Sequence, residues 1–583
     1  MNMMTIPAPG ALNKKIPVQA AISNVQQGGP QALAPESVLL AWLDWSMHLA
    51  ASPAKCTELT QLALNQHQQL ALYLQQCLMS GPGQARAQVE PPFQERRFAA
   101  PEWRQWPFNL LFQNFLLQQR WWEQATRDVP GLGTHHQSVV AFGANLWQDM
   151  CSPRNTLLTN PVVLQRTVDE NGANLLRGMA AMVAKLQQLA SGAPAPGSGD
   201  FIVGRDIAVT PGKVVLQNRL IELIQYSPTT ATVHPEPILI VPAWIMKYYI
   251  LDLSPHNSLI RYLVEQGHTV FCISWKNPGS AERDLDMDDY LELGFDAALA
   301  AVNAIVPQQK VHATGYCLGG TLLSIACAAM AQRGDERLAS VSLFAAQTDF
   351  SEPGGLGVFI DENQLRQLDA QMAVKGYLTG EQMGAAFQMM RSSDLLWMPL
   401  VNSFLMGDVA SVNDLMAWNS DATRMPATMH SQYLRRLYLN NDLSAGRYPA
   451  NGQPVFLSDI AVPVFCVGTV ADHVAPWRSV YKLHAATAAE ITFVLTSGGH
   501  NAGIVSEPGH AHHNFQIKIR RSGAAARTPD EWVAEAEQHD GSWWLEWVSW
   551  LQKRSGKKTA PPELGGPEHR IVGAAPGTYV MEK

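Results

Sequence analysis

One thiol, one carboxylate and one imidazole, each just past a run of apolar residues, are the groups in this sequence best placed to do chemistry. Cys317 lies in TGYCLGGT (314–321), between the β-rich run KVHATGY (310–316) and the helically spaced LGGTLLSIACAAMAQ. A G-x-C-x-G turn joining a strand to a helix is a nucleophile elbow, which lifts the reactive atom above a sheet. Gly315 and Gly319 flank the thiol because side chains there would collide in the strained turn, and Gly320 lets the helix pack close to its strand. The helix N-terminus behind the turn favours negative charge and supplies N–H groups for an oxyanion, the Leu318 N–H being the natural first donor.

An elbow nucleophile requires an acid after a later strand and a histidine after the last one, in that chain order. PVFCVGT (463–469) is followed by VADHVAPW, which sets Asp472 beyond the strand, and ITFVLTS (491–497) is followed by GGHNAG, which sets His500 in a glycine-flanked loop. Singly each is weak, since a loop aspartate is most often a cap and a loop histidine a solvated surface residue. The ordered set of Cys317, Asp472 and His500 is what carries the reading. Asp349, after SVSLFAA (340–346), is the competing acid, but it begins an insertion. His473 either orients substrate or packs, and both readings stay open. Cys272, Cys327 and Cys466 read as buried structural thiols. HAHH (510–513) and HH (135–136) lack ligand spacing with carboxylate support, so no metal site is expected, and GLG (131–133) lacks the strand that a phosphate loop needs.

A thiol in this place has a chemical meaning. Serine attack on a thioester makes an oxygen ester and discards the activation, whereas a thiolate exchanges one thioester for another and keeps the acyl group ready for transfer. His500 would deprotonate Cys317, while Asp472 would fix the imidazole or take a proton from an incoming hydroxyl. An alcohol acceptor gives an ester and water gives a free acid, according to how well the site excludes water.

These groups need a sheet to hold them. Apolar runs at 238–244, 269–275, 310–316, 340–346, 463–469 and 491–497 alternate with helical stretches, which predicts an α/β domain over 201–583, an α/β-hydrolase-like parallel sheet. The long strand-poor interval inside it predicts a cap inserted at about 350–445 over the carboxyl edge of the sheet. Upstream, AWLDWSMHLA, LTQLALNQHQQLALYLQQCL and FNLLFQNFLLQQRWWEQA repeat apolar residues at three and four, predicting an all-helical N-terminal domain over 37–190. ASGAPAPGSGDF (190–201) reads as a linker, and 1–36, rich in Pro, Gly, Gln and Ala, as a flexible arm. A chain of 583 residues is longer than one core usually serves, in line with this division.

A net charge of −8 gives no general attraction to nucleic acid, so no nucleic-acid partner is expected. Seven cysteines without a CxxC pair suit a reducing, cytoplasmic setting. No secretory signal and no apolar run of about 18 residues is present, so no transmembrane segment is expected. Trp103, Trp106, Phe108, Trp121 and Trp122 either pack a helical core or face an apolar surface.

From residue 94 to the end the chain resembles the class I polyhydroxyalkanoate synthases. Besides TGYCLGGT, ADHVAPW and GGHNAG, the resemblance rests on FIVGRDIAVTPGKVV (201–215), LIQYSPTT (223–230), YYILDLSPHNSL (248–259), QGHTVFCISWKNP (266–278), WNSDATRMP (418–426), YLRRLYLNND (433–442) and HDGSWWLEWVSWL (539–551). It implies a cytoplasmic, granule-associated enzyme that polymerises (R)-3-hydroxyacyl-CoA into storage polyester with release of coenzyme A. The thioester is the substrate, and no cofactor is implied. By the same resemblance Cys317 is acylated, Asp472 and His500 complete a triad, and the N–H groups of Leu318 and Ile245 form the oxyanion hole. A mobile lid at 350–445, granule attachment through the helical domain and homodimerisation through the catalytic domain are further implications. Where the family commonly reads Pro-Pro-x-Ile-Asn-Lys, this chain has Pro242, Ala243, Trp244, Ile245, Met246 and Lys247. Trp244 is therefore expected to reshape the acyl pocket. Asn501 and His430 also depart from the family pattern and bear on the substrate side chain. Residues 1–93 carry no block of the resemblance. The rival readings are a thioesterase or polyester depolymerase with the same triad, and a catalytically silent granule-coating protein.

Overall fold

The computed structural model describes residues 33–80, 90–191, 201–409 and 412–583. Residues 1–32 of the expected arm and 192–200 of the expected linker lie outside the described residues.

The helical segment comprises α1 (Pro35–Ala50), α2 (Pro53–Met79), α3 (Phe108–Ala125), α4 (Thr134–Met150), α5 (Pro161–Asp169) and α6 (Ala173–Ser191). Pro35 and Glu36, assigned to the arm by composition, instead open α1. Proline is tolerated there because its missing N–H would have no intrahelical partner. Trp103 is buried with Phe98, Phe112 and Phe115, and Trp122 packs on Trp42 and Trp45, so these aromatics form helical cores. Trp121 donates to the Leu59 carbonyl at 3.2 Å and Phe108 packs against the Trp103 cluster, whereas Trp106 is exposed.

Downstream, an 11-stranded sheet is built from β1 (Gly212–Gln217), β2 (Ile221–Tyr226), β3 (Ile238–Val241), β4 (Val270–Trp275), β5 (Val311–Tyr316), β6 (Leu338–Phe344), β7 (Val464–Thr469), β8 (Ile491–Thr496), β9 (Asn514–Arg520), β10 (Glu537–Asp540) and β11 (Gly573–Ala574). Their order is β10-β9-β8-β7-β6-β5-β3-β4-β2-β1-β11, and the run from β4 to β8 is parallel while the flanks are antiparallel. The central strands are buried on both faces, which is why they read as apolar-rich runs without strict alternation. β10 closes one edge with EQHD, a short polar strand that gives further pairing little purchase.

Helix α7 (Leu318–Gln332) follows β5 directly and lies against the sheet. Leu322, Leu323 and Ile325 have no exposed surface, and burial of each contributes about 1.5–3 kcal/mol. Trp543 and Trp547 pack on Phe344, and Trp550 on Phe465, so the tryptophan-rich run 539–551 fills the core beneath β6 and β7.

Between β6 and β7 the chain forms a helical cap, with α8 (Glu362–Lys375), α9 (Gly380–Met390) and α10 (Ala427–Tyr433) among its helices. The cap also holds a two-residue strand pair, Tyr377–Leu378 with Met425–Pro426, too short to leave a sequence pattern. The helical segment docks on this cap: Phe142 meets Phe359 edge-on at 5.4 Å, Ser392 donates to Asp149, Asn174 donates to the Leu405 carbonyl at 2.9 Å, and the Ala34 N–H donates to Gln364 Oε1 at 2.8 Å.

Candidate active site

Cys317 has φ 53° and ψ −124°, a backbone state that costs about 1–3 kcal/mol outside a restraining fold. The restraint is visible: the Cys317 N–H donates to the Phe344 carbonyl at 2.8 Å, and the Cys317 carbonyl accepts from the Gly320 N–H at 2.9 Å. The glycines answer to steric demand. A Cβ on Gly315 would overlap Gly320 Cα, one on Gly319 would overlap the Val241 carbonyl, and one on Gly320 would lie 2.5 Å from Ala346 Cβ. The elbow therefore requires glycine at all three positions.

Cys317 is 7% exposed and opens into a narrow cavity walled by Ile245, Leu318, Phe350, Tyr433, Tyr438 and Val474. The Leu318 N–H, at the first position of α7, has no intrahelical acceptor, so it is free to serve an oxyanion. Ile245, after β3, lines the same cavity. Trp244 points elsewhere: it packs against Trp275, Tyr290 and Tyr433 and is not among the residues walling the thiol's cavity.

His500 Nδ1 lies 2.8 Å from Asp472 Oδ2. Asp472 is saturated with donors, since Oδ2 also accepts from Thr469 Oγ1 at 2.9 Å and Oδ1 accepts the N–H groups of Val474 and Ala475, each at 2.8 Å. Burial would raise the Asp472 pKa, but the charge and hydrogen bond of His500 and the two N–H groups outweigh it and hold the carboxyl below its ordinary range. Burial likewise works against charge on His500, yet the Asp472 carboxylate, the nearby Cys317 and the hydrogen bond to Asp472 hold its pKa well above the usual value. A histidine held by a buried carboxylate beside an elbow cysteine suits nucleophilic attack on an acyl carbon.

The three residues that chain order selects thus meet in one place. Asp349 does not join them: its carboxylate accepts from the Ser351 N–H at 2.8 Å, Ser444 Oγ at 2.8 Å and Asn441 Nδ2 at 3.1 Å, anchoring the base of the cap. His473 is exposed, and its backbone carbonyl accepts the Gly355 N–H at 2.9 Å. Asn501 accepts from Tyr316 Oη at 2.7 Å, which ties the histidine loop to the strand that carries the elbow.

Supporting residues escape a reading by motif. Thr469 fixes Asp472, and the indoles of Trp543 and Trp544 donate to the carbonyls of Gly503 and Ile504, each at 2.9 Å, which pins the loop bearing His500. The tryptophan-rich block is plain in the sequence, but its contact with a loop some forty residues earlier is not.

Comparison with known proteins bears on the same regions. A model described as "Poly-beta-hydroxybutyrate polymerase (PhaC) N-terminus" matches residues 94–263, and one for the alpha/beta hydrolase fold matches 236–507. A third, "Poly-beta-hydroxybutyrate polymerase N terminal", matches 18–55, so the resemblance reaches into a region where no block of it was evident. The chain is 41% identical to the poly(3-hydroxyalkanoate) polymerase of Methylorubrum extorquens, over 85% of this chain and 82% of that one. It is 35% identical to a poly(3-hydroxyalkanoate) polymerase subunit of Cupriavidus necator, over 93% of this chain and 95% of the relative. Among solved structures, a monoacylglycerol lipase of Paleococcus ferrophilus aligns at a TM-score of 0.31 and 11% identity, covering 49% of this chain and 96% of that one.

Proposed function

The chain belongs to the poly(3-hydroxyalkanoate) polymerase family, and we propose that it condenses (R)-3-hydroxyacyl groups from coenzyme A thioesters into polyester through a thioester on Cys317. The observation that carries this reading is a cysteine in the elbow, beside a histidine whose Nδ1 lies 2.8 Å from a buried aspartate.

In the first step the Cys317 sulfur attacks the thioester carbonyl, and the Leu318 and Ile245 N–H groups take up the negative charge that develops on oxygen. Collapse breaks the bond to coenzyme A, whose sulfur leaves with the proton from His500, and the acyl group stays on Cys317. In the second step His500, now neutral, removes the proton from an incoming 3-hydroxyl. The oxygen attacks the Cys317 thioester, an ester bond forms, and the enzyme sulfur is released beside the protonated imidazole. Asp472 is badly suited to be the base for the hydroxyl, because its side chain is fully buried and both oxygens are already engaged. The apolar wall of the thiol's cavity disfavours water as acceptor, which supports transfer over hydrolysis.

The reading extends to a cytoplasmic enzyme that works at a granule surface, as a homodimer, without a cofactor. Among the described residues no helix is long and apolar enough to cross a membrane. Supplying 3-hydroxybutyryl-CoA tests the reaction: polymerisation gives coenzyme A and insoluble ester, whereas a thioesterase gives coenzyme A and an equal amount of free acid. Stoichiometric free acid without polymer would overturn the proposal.

A further inference from the structure

A second cavity lies inside the cap next to the thiol's own, and Leu356 and Tyr433 wall both. Its lining comes from α8, α9, α10 and their neighbours and includes no Asp, Glu, Lys or Arg. Much of the wall is apolar, from Phe359, Leu368 and Met383, but glutamines and His430 interrupt it.

Two of the polar groups are buried with a nitrogen left unpaired. Gln364 is 8% exposed, its Oε1 accepts the Ala34 N–H at 2.8 Å, and its Nε2 is buried without a partner. Because the oxygen must face the Ala34 N–H, the amide orientation is fixed and the remaining capacity of Gln364 is a donor. Gln371 Oε1 accepts from Gln382 Nε2 at 2.7 Å, and Gln382 Oε1 accepts the Thr379 N–H at 3.1 Å, so these two amides are tied to each other and to the start of α9. His430 is 2% exposed, and its Nδ1 is buried without a partner. Burial pushes the His430 pKa down to about 4, which leaves a neutral ring that has one N–H to give and one nitrogen that accepts.

Buried polar atoms without partners are costly, and the Gln364 Nε2 donor, with His430 beside an otherwise largely apolar wall, calls for an apolar ligand that brings acceptors. A polyester is such a ligand: its ester carbonyls accept, nothing along its backbone donates, and its side groups are apolar. Coenzyme A fits worse, because its phosphates find no cation here and the amides of its pantetheine arm need acceptors as well as donors. Resting on the polymerase reading above, we infer that the cap cavity holds the segment of polyester nearest Cys317, with Gln364 Nε2 and the His430 ring donating to ester carbonyls. The same site explains why His430 stands in a wall that is otherwise largely apolar.

The test is direct binding of a linear trimer of (R)-3-hydroxybutyrate, capped as its methyl ester, to the full chain carrying Cys317→Ala, measured by calorimetry. The trimer is expected to bind and to remain bound when coenzyme A is added. Gln364→Glu keeps an oxygen for the Ala34 N–H but turns the donor into an acceptor, and should weaken binding about tenfold, as should His430→Phe. Heat unfolding checks both variants, and if His430→Phe does not fold, Gln364→Glu alone decides. No binding of the trimer, affinity within about twofold of the parent in Gln364→Glu, or displacement by coenzyme A would each overturn the inference. Polymer formation by the unaltered protein is measured separately. Polymer made with no trimer bound sinks only the cavity's role, whereas no polymer at all sinks the reading on which it rests.

Discussion

Replacing Asp472 by Asn probes the relay that turns the elbow thiol into a nucleophile. The backbone N–H groups of Val474 and Ala475 both point at Oδ1 and would keep the amide oxygen of Asn there. The amide nitrogen must then take the place of Oδ2, where it faces His500 Nδ1 and Thr469 Oγ1. A donor facing Nδ1 drives the imidazole proton to Nε2, so the ring loses both its charge and the lone pair it needs toward the thiol. Charge alone sets the scale. A carboxylate and an imidazolium about 4 Å apart interact by about 4 kcal/mol at an effective dielectric constant near 20, which is about a thousandfold in rate. The assay is the burst of coenzyme A released in a single turnover from 3-hydroxybutyryl-CoA, followed by rapid quench. Asp472→Asn should lower the burst rate by about a thousandfold while changing the unfolding temperature little. A variant that acylates within about threefold of the parent would refute the reasoning, because the carboxylate would then neither charge nor orient His500.

Trp543→Phe removes the donor to the Gly503 carbonyl and leaves that carbonyl buried, a cost of about 1–3 kcal/mol that should fall on the His500 loop. The rate of coenzyme A release is expected to drop more than the unfolding temperature suggests, and an unchanged rate would clear the indole of a positioning role. Gly319→Ala places a Cβ against the carbonyls of Val241 and Pro242, so destabilisation of about 1–3 kcal/mol together with loss of acylation should appear in denaturant titration and the burst assay. His268, His312 and His484 are buried, with pKa values pushed down to about 3, 4 and 4, so their folded-state values lie below the unfolded one. The stability they contribute is full above about pH 6.5 and is lost as the pH falls toward about 4, because the unfolded chain takes protons that the folded chain refuses. The unfolding temperature should therefore decline from pH 7 to pH 5, and a flat or rising profile would contradict the burial of these rings.

How much of this was legible beforehand follows from how each feature is encoded. The parallel strands β3 to β8 show in the sequence because strands buried on both faces are written as short apolar-rich runs without strict alternation. The outer strands β1, β2, β9 and β10 do not: KVVLQ, IELIQY and NFQIKIR mix polar and apolar residues, and pairing rather than composition makes them strands. Cys317, Asp472 and His500 were readable because chain order constrains an elbow triad. Thr469 and Trp543 were not, since their roles exist only once the loop carrying His500 folds back onto them. Trp244, next to Ile245 in sequence, does not wall the thiol's cavity itself but packs on Trp275, Tyr290 and Tyr433, and of these Tyr433 walls it. The cap cavity has no sequence signature, because Gln364 and His430 lie 66 residues apart on separate helices.

The central claim is that acyl groups pass through the sulfur of Cys317. Mass spectrometry of peptides from turnovers quenched in acid, with 3-hydroxybutyryl-CoA as donor, reads this directly. The account predicts hydroxybutyryl mass, as a monomer or a short oligomer, on the peptide that contains Cys317, and no such adduct or polymer in Cys317→Ala. An adduct confined to another residue, or polymer made by Cys317→Ala, would contradict it.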